Sequence, residues 1–274
     1  MEDGQEKRAR GRPRGWTDTT EQNRIKSLDR AMEVLQRLGQ MGGSTLSDLA
    51  GDLGQSPASV YRVLVTLETR DIVDFDPANQ TWNVGAGAFL IGSHFLRRTA
   101  LVERARPVLR DLMQKSGETA NLGIERDGQV LFVNQVETHA NIRAFFPPGT
   151  MSPMHASGIG KVLLAQMPES RVTEIAAQQG LERFTDQTIT DLGKLLVDLS
   201  RTRDRGYSID RDEKNTGMRC IAAPIFDVHG EAVAGLSISG PSGRLPDIRI
   251  SDLAALVVTA ARTVTAGIGG RAGD

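Results

Sequence analysis

Cysteine is almost missing from this chain. Its 274 residues include one, Cys220, so an intrachain disulfide is excluded, and four scattered histidines without a second thiol supply no structural zinc site. No metal and no cofactor is expected. An excess of charge of one sign is also lacking: 33 Lys and Arg against 34 Asp and Glu leave a formal charge of -1, which argues against a surface that coats nucleic acid throughout. No apolar run is read as approaching the roughly 18 residues of a membrane span, and the charged N-terminus lacks the apolar core of a secretory signal. A cytoplasmic location and no membrane partner are expected. Catalytic signatures are absent as well: there is no nucleophile elbow, Walker-type loop, H-E-x-x-H or dinucleotide fingerprint, and "GAGAFLIG" (85–92) lacks a preceding strand. Cys220 as nucleophile, with Asp210, His155 and His139 as acid or base candidates, falls at no recognised catalytic spacing, so the chain is not read as an enzyme.

What the chain does hold is 39% hydrophobic and 24% charged residues, a globular composition, over a length that suits about two domains. The balanced total conceals a local excess. "RARGRPRGW" (8–16) packs four arginines between small or rigid residues, and Lys7, Arg8, Arg10, Arg12 and Arg14 stand without an acid among them. With nothing apolar to bury, residues 1–24 are expected to form a flexible arm. Its Arg10-Gly11-Arg12-Pro13 resembles an AT-hook core, in which an extended backbone lays two guanidiniums into the narrow minor groove of A·T-rich DNA.

After the arm, Leu28, Met32, Leu35 and Leu38 recur at helical spacing from Ser27 until Gly39, Gly42 and Gly43 end the run. Thr45 can cap a shorter helix with Leu46, Leu49 and Leu53, closed by Gly54. Ser56 then caps a third, Pro57 takes its first position, and Val60, Leu64 and Leu67 form its inner side. Ile72–Phe75 and Thr81–Val84, joined by Asp76-Pro77-Ala78-Asn79, predict a hairpin. Three helices and a hairpin make a winged helix-turn-helix over 25–84, whose third helix enters the DNA major groove. Gln55, Ser56, Ser59 and Arg62 would face phosphates and base edges, with Tyr61 reaching the backbone or the packing surface.

Residues 85–116 predict two linker helices, the second capped by Thr99 and kinked or restarted at Pro107. Phe89, Leu90, Ile91, Phe95 and Leu96 cover much of the first, so a partner chain is expected against it, as a homodimer. The remainder, 117–274, is read as an α+β domain with a mainly antiparallel sheet. Its strands are TANLGIER and QVLFVNQV around Asp127-Gly128, one near Ile142, and RCIAAPIFD and AVAGLSISG flanking His229-Gly230. Helices are expected over 157–166, 168–180, 191–205 and from about Pro246 to Ala266.

Alternation in "AGLSISG" puts Ser237 and Ser239 on one face, with Cys220 on the neighbouring strand. Together with the backbone N–H groups of Gly158 and Ile159 at a helix start, these would form a small polar pocket suited to an anion, walled by Phe145, Met151 and Met154. Small residues filling a crowded sheet would give the same pattern.

Three segments carry a resemblance: "GYSIDRDEKNTGMRCIAAPIFD" (206–227), with Gly206, Asp210, Glu213, Cys220, Ile221, Ala222, Ile225, Phe226 and Asp227, together with "MHASGIGKVLLA" (154–165) and "SLDRAMEVLQRL" (27–38). The chain resembles the IclR-type bacterial transcriptional regulators from about Ser27 to Ala266. That implies a winged helix-turn-helix, a dimerising helical linker and a C-terminal GAF-like α/β effector-binding domain. It also implies contacts to a small carboxylate-like effector from Gly158, Ile159, Asp210, Cys220, Ser237 and Ser239, while Asn141, Ala144, Phe145 and Ser152 occupy variable wall positions. Such a protein would bind double-stranded operator DNA as dimers paired into tetramers, as a repressor released by effector or as an activator; a metabolite-processing enzyme or a sensor without DNA contact is the rival of another class. Deleting residues 1–15 is expected to weaken operator binding and to flatten the slope of log affinity against log salt, because several phosphate contacts leave together; an unchanged slope in a filter-binding titration would remove the arm from DNA.

Overall fold

A computed structural model describes residues 25–98 and 101–271, the side chains of 93–98 excepted. The arm with Arg10, Arg12 and Arg14, the Thr99 cap and the side chains of Phe95 and Leu96 therefore lie outside the described residues. The chain divides into two compact units between Ser93 and His94.

The first unit holds α1 (Lys26–Met41), α2 (Leu46–Asp52), α3 (Pro57–Glu68), the hairpin β1 (Val73–Asp76) and β2 (Thr81–Val84), and the start of α4 (Ala86–Arg98). Thr45 and Ser56 cap α2 and α3 by accepting from the N–H groups of Asp48 and Ser59. Val34, Leu38, Leu49, Val60, Leu64 and Trp82 close its core. Here the expected stripe of α1 needs correction: Leu28 and Met32 are exposed, and Val34 and Leu38 take the buried positions. The reason is that only the second half of α1 reaches the core, where Leu35 and Met41 also pack. Trp82 and Ser44 exchange backbone hydrogen bonds of 2.8 and 3.0 Å, tying the wing to the turn before α2. On α4, Phe89, Leu90 and Ile91 are all exposed.

The second unit is built on a six-stranded antiparallel sheet ordered β5-β4-β3-β8-β7-β6. Its strands are β3 (Thr119–Arg126), β4 (Gln129–Val136), β5 (Met151–Pro153), β6 (Ser208–Arg211), β7 (Met218–Phe226) and β8 (Ala232–Pro241). One face carries Ala120, Leu122, Ile221, Leu236 and Ile238 against α5 (Leu101–Ser116) and α9 (Asp247–Gly267). Toward the other lie α6 (Gly158–Leu164), α7 (Glu169–Gln179) and α8 (Leu192–Arg205), over Val130, Phe132 and Ala222. The sheet is thus sandwiched between two apolar layers.

Several expectations change here. No strand forms at Ile142, which is exposed in an irregular stretch; the edge beside β4 is taken by Met151–Pro153 after Pro147-Pro148-Gly149. β6 has no counterpart in the sequence pattern, its four residues being too short to show alternation. Pro107 neither ends nor restarts α5, which runs through it and buries Leu101, Ala105, Leu109 and Leu112 in the core of the second unit. And α9, at 21 residues, is long and apolar enough to cross a membrane by composition alone, against the reading that no run came near; small alanines and threonines between its valines and leucines disguise it. Its Ile250, Leu253, Val257 and Val264 are buried in the same core as α5.

Leu64 is fully buried where α3 meets α1, α2 and the wing. Leu64→Ala should cost the first unit about 2–5 kcal/mol, seen as an earlier midpoint in urea unfolding followed by Trp82 fluorescence; an unshifted midpoint would place Leu64 outside the core.

Candidate functional site

Two surfaces stand out, one in each unit. In the first, Ser56, Ser59, Tyr61 and Arg62 are exposed on the N-terminal half of α3, opposite buried Val60 and Leu64. Ser56 Oγ donates to Ser59 Oγ at 2.9 Å, so the cap and the next turn share one hydroxyl pair. Gln55 is half-buried and its Nε2 donates to Glu33 Oε2 at 3.2 Å, which orients the amide at the helix entrance. The ring of Tyr61 meets Trp82 edge-on with centroids 6.4 Å apart, so one side of it is held by the wing. Thr66, which the sequence reading passed over, continues the exposed stripe of Ser59 and Arg62 at helical spacing. Fixed, hydrogen-bonding side chains on the leading turns of an exposed helix are what a major-groove reader requires.

In the second unit, residues from β6, β7, β8, β4 and the start of α6 line a small, partly open pocket, about 430 Å³ counted to its open mouth. Sheet register makes it. Asp210, Cys220 and Ser239 are neighbours across β6, β7 and β8, and Ser237 pairs with Asn121 on β3, so all point to the α6 side. Asn121 Nδ2 donates to Ser237 Oγ and Ser239 Oγ at 3.4 and 3.3 Å, while its Oδ1 accepts from Gln135 Nε2 at 2.9 Å. Gly158 brings the helix in: a β-carbon there would lie 2.5 Å from Cys220 Sγ. Gly158 and Ile159 are the first two residues of α6 and their N–H groups have no acceptor within the helix. Ser157 caps it toward Gly160 N at 3.3 Å.

The electrostatics follow from burial. Burial first, and then the neighbouring Glu213 carboxylate, push the Asp210 carboxyl up to about 7, although Glu213 N donates to its Oδ1 at 2.8 Å. Burial, with Asp210 adding to it, raises the Cys220 thiol to about 11, so it stays protonated and unreactive. Lys214 and Arg219 line the same pocket. Arg219 Nη1 donates to Leu245 O at 2.9 Å, and its Nε is buried without a hydrogen-bond partner among the described residues.

Behind the pocket lies a charged cluster that sequence reasoning missed. Lys161 on α6 is 1% exposed, and its Nζ donates to Glu213 Oε1 and Ile209 O at 2.6 Å each and sits 3.1 Å from Asp198 Oδ2. Burial opposes its charge, but Glu213 and Asp198 outweigh that and hold the ammonium above its ordinary range. A lysine inside the apolar run "GIGKVLLA" was the signal available.

Of the pocket residues expected, Gly158, Ile159, Asp210, Cys220, Ser237, Ser239 and Ser152 line the cavity together. The apolar wall needs correction. Phe145 is 61% exposed and does not line the cavity, Met151 is exposed at the edge strand, and Met154 is buried in the core that includes α6. Phe146 and Phe132, stacked with centroids 4.9 Å apart, form the wall instead. The apolar neighbour of Phe145 is the one turned inward, a choice that an irregular segment hides because it has no fixed period. Asn141 and Ala144 do not line it either. His155 lies outside too, bonded to Glu182 O at 3.0 Å. Among the described residues no cluster of His, Cys, Asp and Glu could hold a metal.

Residues 27–77 match the IclR helix-turn-helix domain, and 93–266 match the bacterial transcriptional regulator IclR C-terminal domain. The chain belongs to the IclR family. This IclR-family regulator is 50% identical over 267 residues to the HTH-type transcriptional regulator BhcR of Paracoccus denitrificans, covering 96% of each chain. It is 38% identical over 264 residues to the transcriptional repressor IclR of Escherichia coli, covering 95% of this chain and 96% of that one. Its fold matches the crystal structure of Thermotoga maritima IclR with a TM-score of 0.76 at 28% identity, over 90% of this chain and all of the other. It is a DNA-binding transcriptional regulator and not an enzyme.

The raised Asp210 has a measurable consequence. The folded state keeps a proton that the unfolded chain releases near pH about 4, so this group's contribution to stability falls as pH rises from there to about 7 and is flat above. Asp210→Asn keeps the acceptor for Glu213 N and removes the titration. Its melting temperature relative to the wild type should therefore rise between pH 5 and pH 8; a constant difference would mean that Asp210 titrates as an ordinary carboxylate.

Proposed function

We propose that this IclR-family regulator represses a catabolic operon and releases it when a small organic acid fills the pocket around Cys220. The observation that carries this reading is the convergence of Ser237, Ser239, Cys220, Asp210 and the first N–H groups of α6 on one pocket, which Lys214 and Arg219 also line. A carboxylate held by the Gly158 and Ile159 amides and the two serine hydroxyls would gain donors, and Asp210, whose carboxyl is raised to about 7, adds another in its protonated form. The small free interior favours a ligand of few heavy atoms, with one apolar side against Phe132 and Phe146. Relatives named as repressors, among them the E. coli transcriptional repressor IclR, support repression over activation.

On the DNA side, Gln55, Ser56, Ser59 and Arg62 contact bases and phosphates in the major groove, Tyr61 contacts the backbone, and Arg10, Arg12 and Arg14 of the arm enter the adjacent minor groove. The regulator works in the cytoplasm as a homodimer joined through the apolar face of α4, in which Phe89 and Ile91 are exposed, and dimers pair into tetramers on the operator. Residues 1–24 serve as arm, 25–84 as reading head, 85–116 as dimerising linker and 117–274 as the effector domain. Moving a head equilibrium from 1:99 to 99:1 takes about 5.5 kcal/mol of differential ligand affinity, so a small acid acts through the paired subunits together.

A thermal-shift panel of short carboxylic acids, followed by gel shifts on the DNA upstream of the gene, tests the whole scheme. One acid should raise the melting temperature and release the DNA, and Ser239→Leu should bind the DNA as before yet lose both responses. An undiminished response in Ser239→Leu would move the effector elsewhere, and a chain that ignores its upstream DNA would defeat the operon assignment.

A further inference from the structure

A second concavity in the effector unit has a chemistry of its own. It lies where the end of α8, β7 and α9 come together, encloses about 1480 Å³ counted to its open mouth, and shares no lining residue with the pocket around Cys220. Arg203, Arg205 and Arg262 line it, and no Asp or Glu does. Among the described residues none of the three arginines forms an ion pair, a condition they share with other arginines of this unit; what sets them apart is that they line one concavity together.

Two of the three are fixed from behind. Arg203 Nε donates to Ala165 O at 2.6 Å, and Arg205 Nε donates to Tyr207 O at 2.5 Å with its guanidinium 5.2 Å from the Tyr207 ring centre. Arg205 Nη2 is further tied to Thr202 Oγ1 at 3.1 Å. Anchoring through Nε leaves both Nη groups of Arg203, Nη1 of Arg205 and all of Arg262 as unused donors among the described residues. The side-chain amide of Gln166 and the hydroxyl of Thr265, which accepts from Phe226 N at 3.1 Å and retains its own proton to give, add neutral donors on the same lining. Planar forks held by their inner nitrogen lose little further entropy when they bind an oxyanion, and like charges gathered in a concavity favour a ligand with more than one negative charge.

We propose that this groove is a second ligand site, for a small phosphorylated anion, distinct from the carboxylate pocket. Arg203 and Arg205 grip the phosphoryl oxygens and Arg262 closes over them from α9. The ligand belongs either to the phosphoanhydrides or to the phosphate monoesters, and two probes separate these sources.

Isothermal titration of the full-length protein in about 0.15 M salt, with inorganic pyrophosphate and with glucose 6-phosphate, tests the proposal. One probe should bind once per chain with Kd below about 1 mM, and Arg262→Ala and Arg203→Lys should each weaken it about tenfold or more without moving the thermal unfolding midpoint. Arg203→Lys keeps the charge and removes the fork, so its loss separates a built site from general attraction. Tighter pyrophosphate assigns a phosphoanhydride, and tighter glucose 6-phosphate assigns an ester. The proposal is overturned by an absence of binding for both probes, by equal binding in the variants, by equal displacement with sulfate, which would mean an adventitious ion only, or by variants that alter the sedimentation of the assembly, which would mark the groove as a contact between copies.

Discussion

Everything in the effector unit depends on how closely α6 lies to the sheet. At Gly158 a side chain would collide with Cys220, and at Gly235 on β8 it would come within 2.7 Å of Ile159 Cγ2. With no β-carbon between them, the first peptide groups of the helix stand over the serines and thiol of the strands. A larger residue at either position would lift the helix and convert a pocket of converging donors into an open cleft. The same closeness explains the chemistry. Water is expelled from around Asp210 and Cys220, so both hold their protons more firmly than they would on a surface.

Close packing also brings Lys161 into the interior, where an ammonium is tolerated only because Glu213, Asp198 and the Ile209 carbonyl surround it. This cluster joins α6, α8 and the loop after β6. Glu213 also gives its backbone N–H to Asp210, which lines the cavity. A ligand that alters Asp210 therefore acts on a side chain one hydrogen bond away from the charges that fasten α8.

The reading head was the most legible part of the sequence, because its helices are amphipathic and its caps, Thr45 and Ser56, are local devices that need no tertiary knowledge. The central hairpin of the sheet was equally open, since Ser237 and Ser239 alternate with Ile238 in a period that survives into the fold. What could not be seen was anything fixed by distant packing. Whether Phe145 or Phe146 turns inward depends on a stacking partner, Phe132, thirteen or more residues away, and the strand at Ser208–Arg211 exists because β7 offers it a ladder. The apolar stripe of α1 misleads for a like reason, with Leu28 and Met32 exposed. Periodicity says that a helix has an apolar side, and only the neighbours say where along its length that side is covered.

The order of the sheet has one more consequence. Its two borders are the three-residue β5 and the four-residue β6, while the long strands β3, β7 and β8 are enclosed on both sides. A stray extended chain approaching either border finds only a few free amides to pair with, too few to hold it. Crowded together or accumulating during synthesis, such molecules have little means of zipping into one another edge to edge.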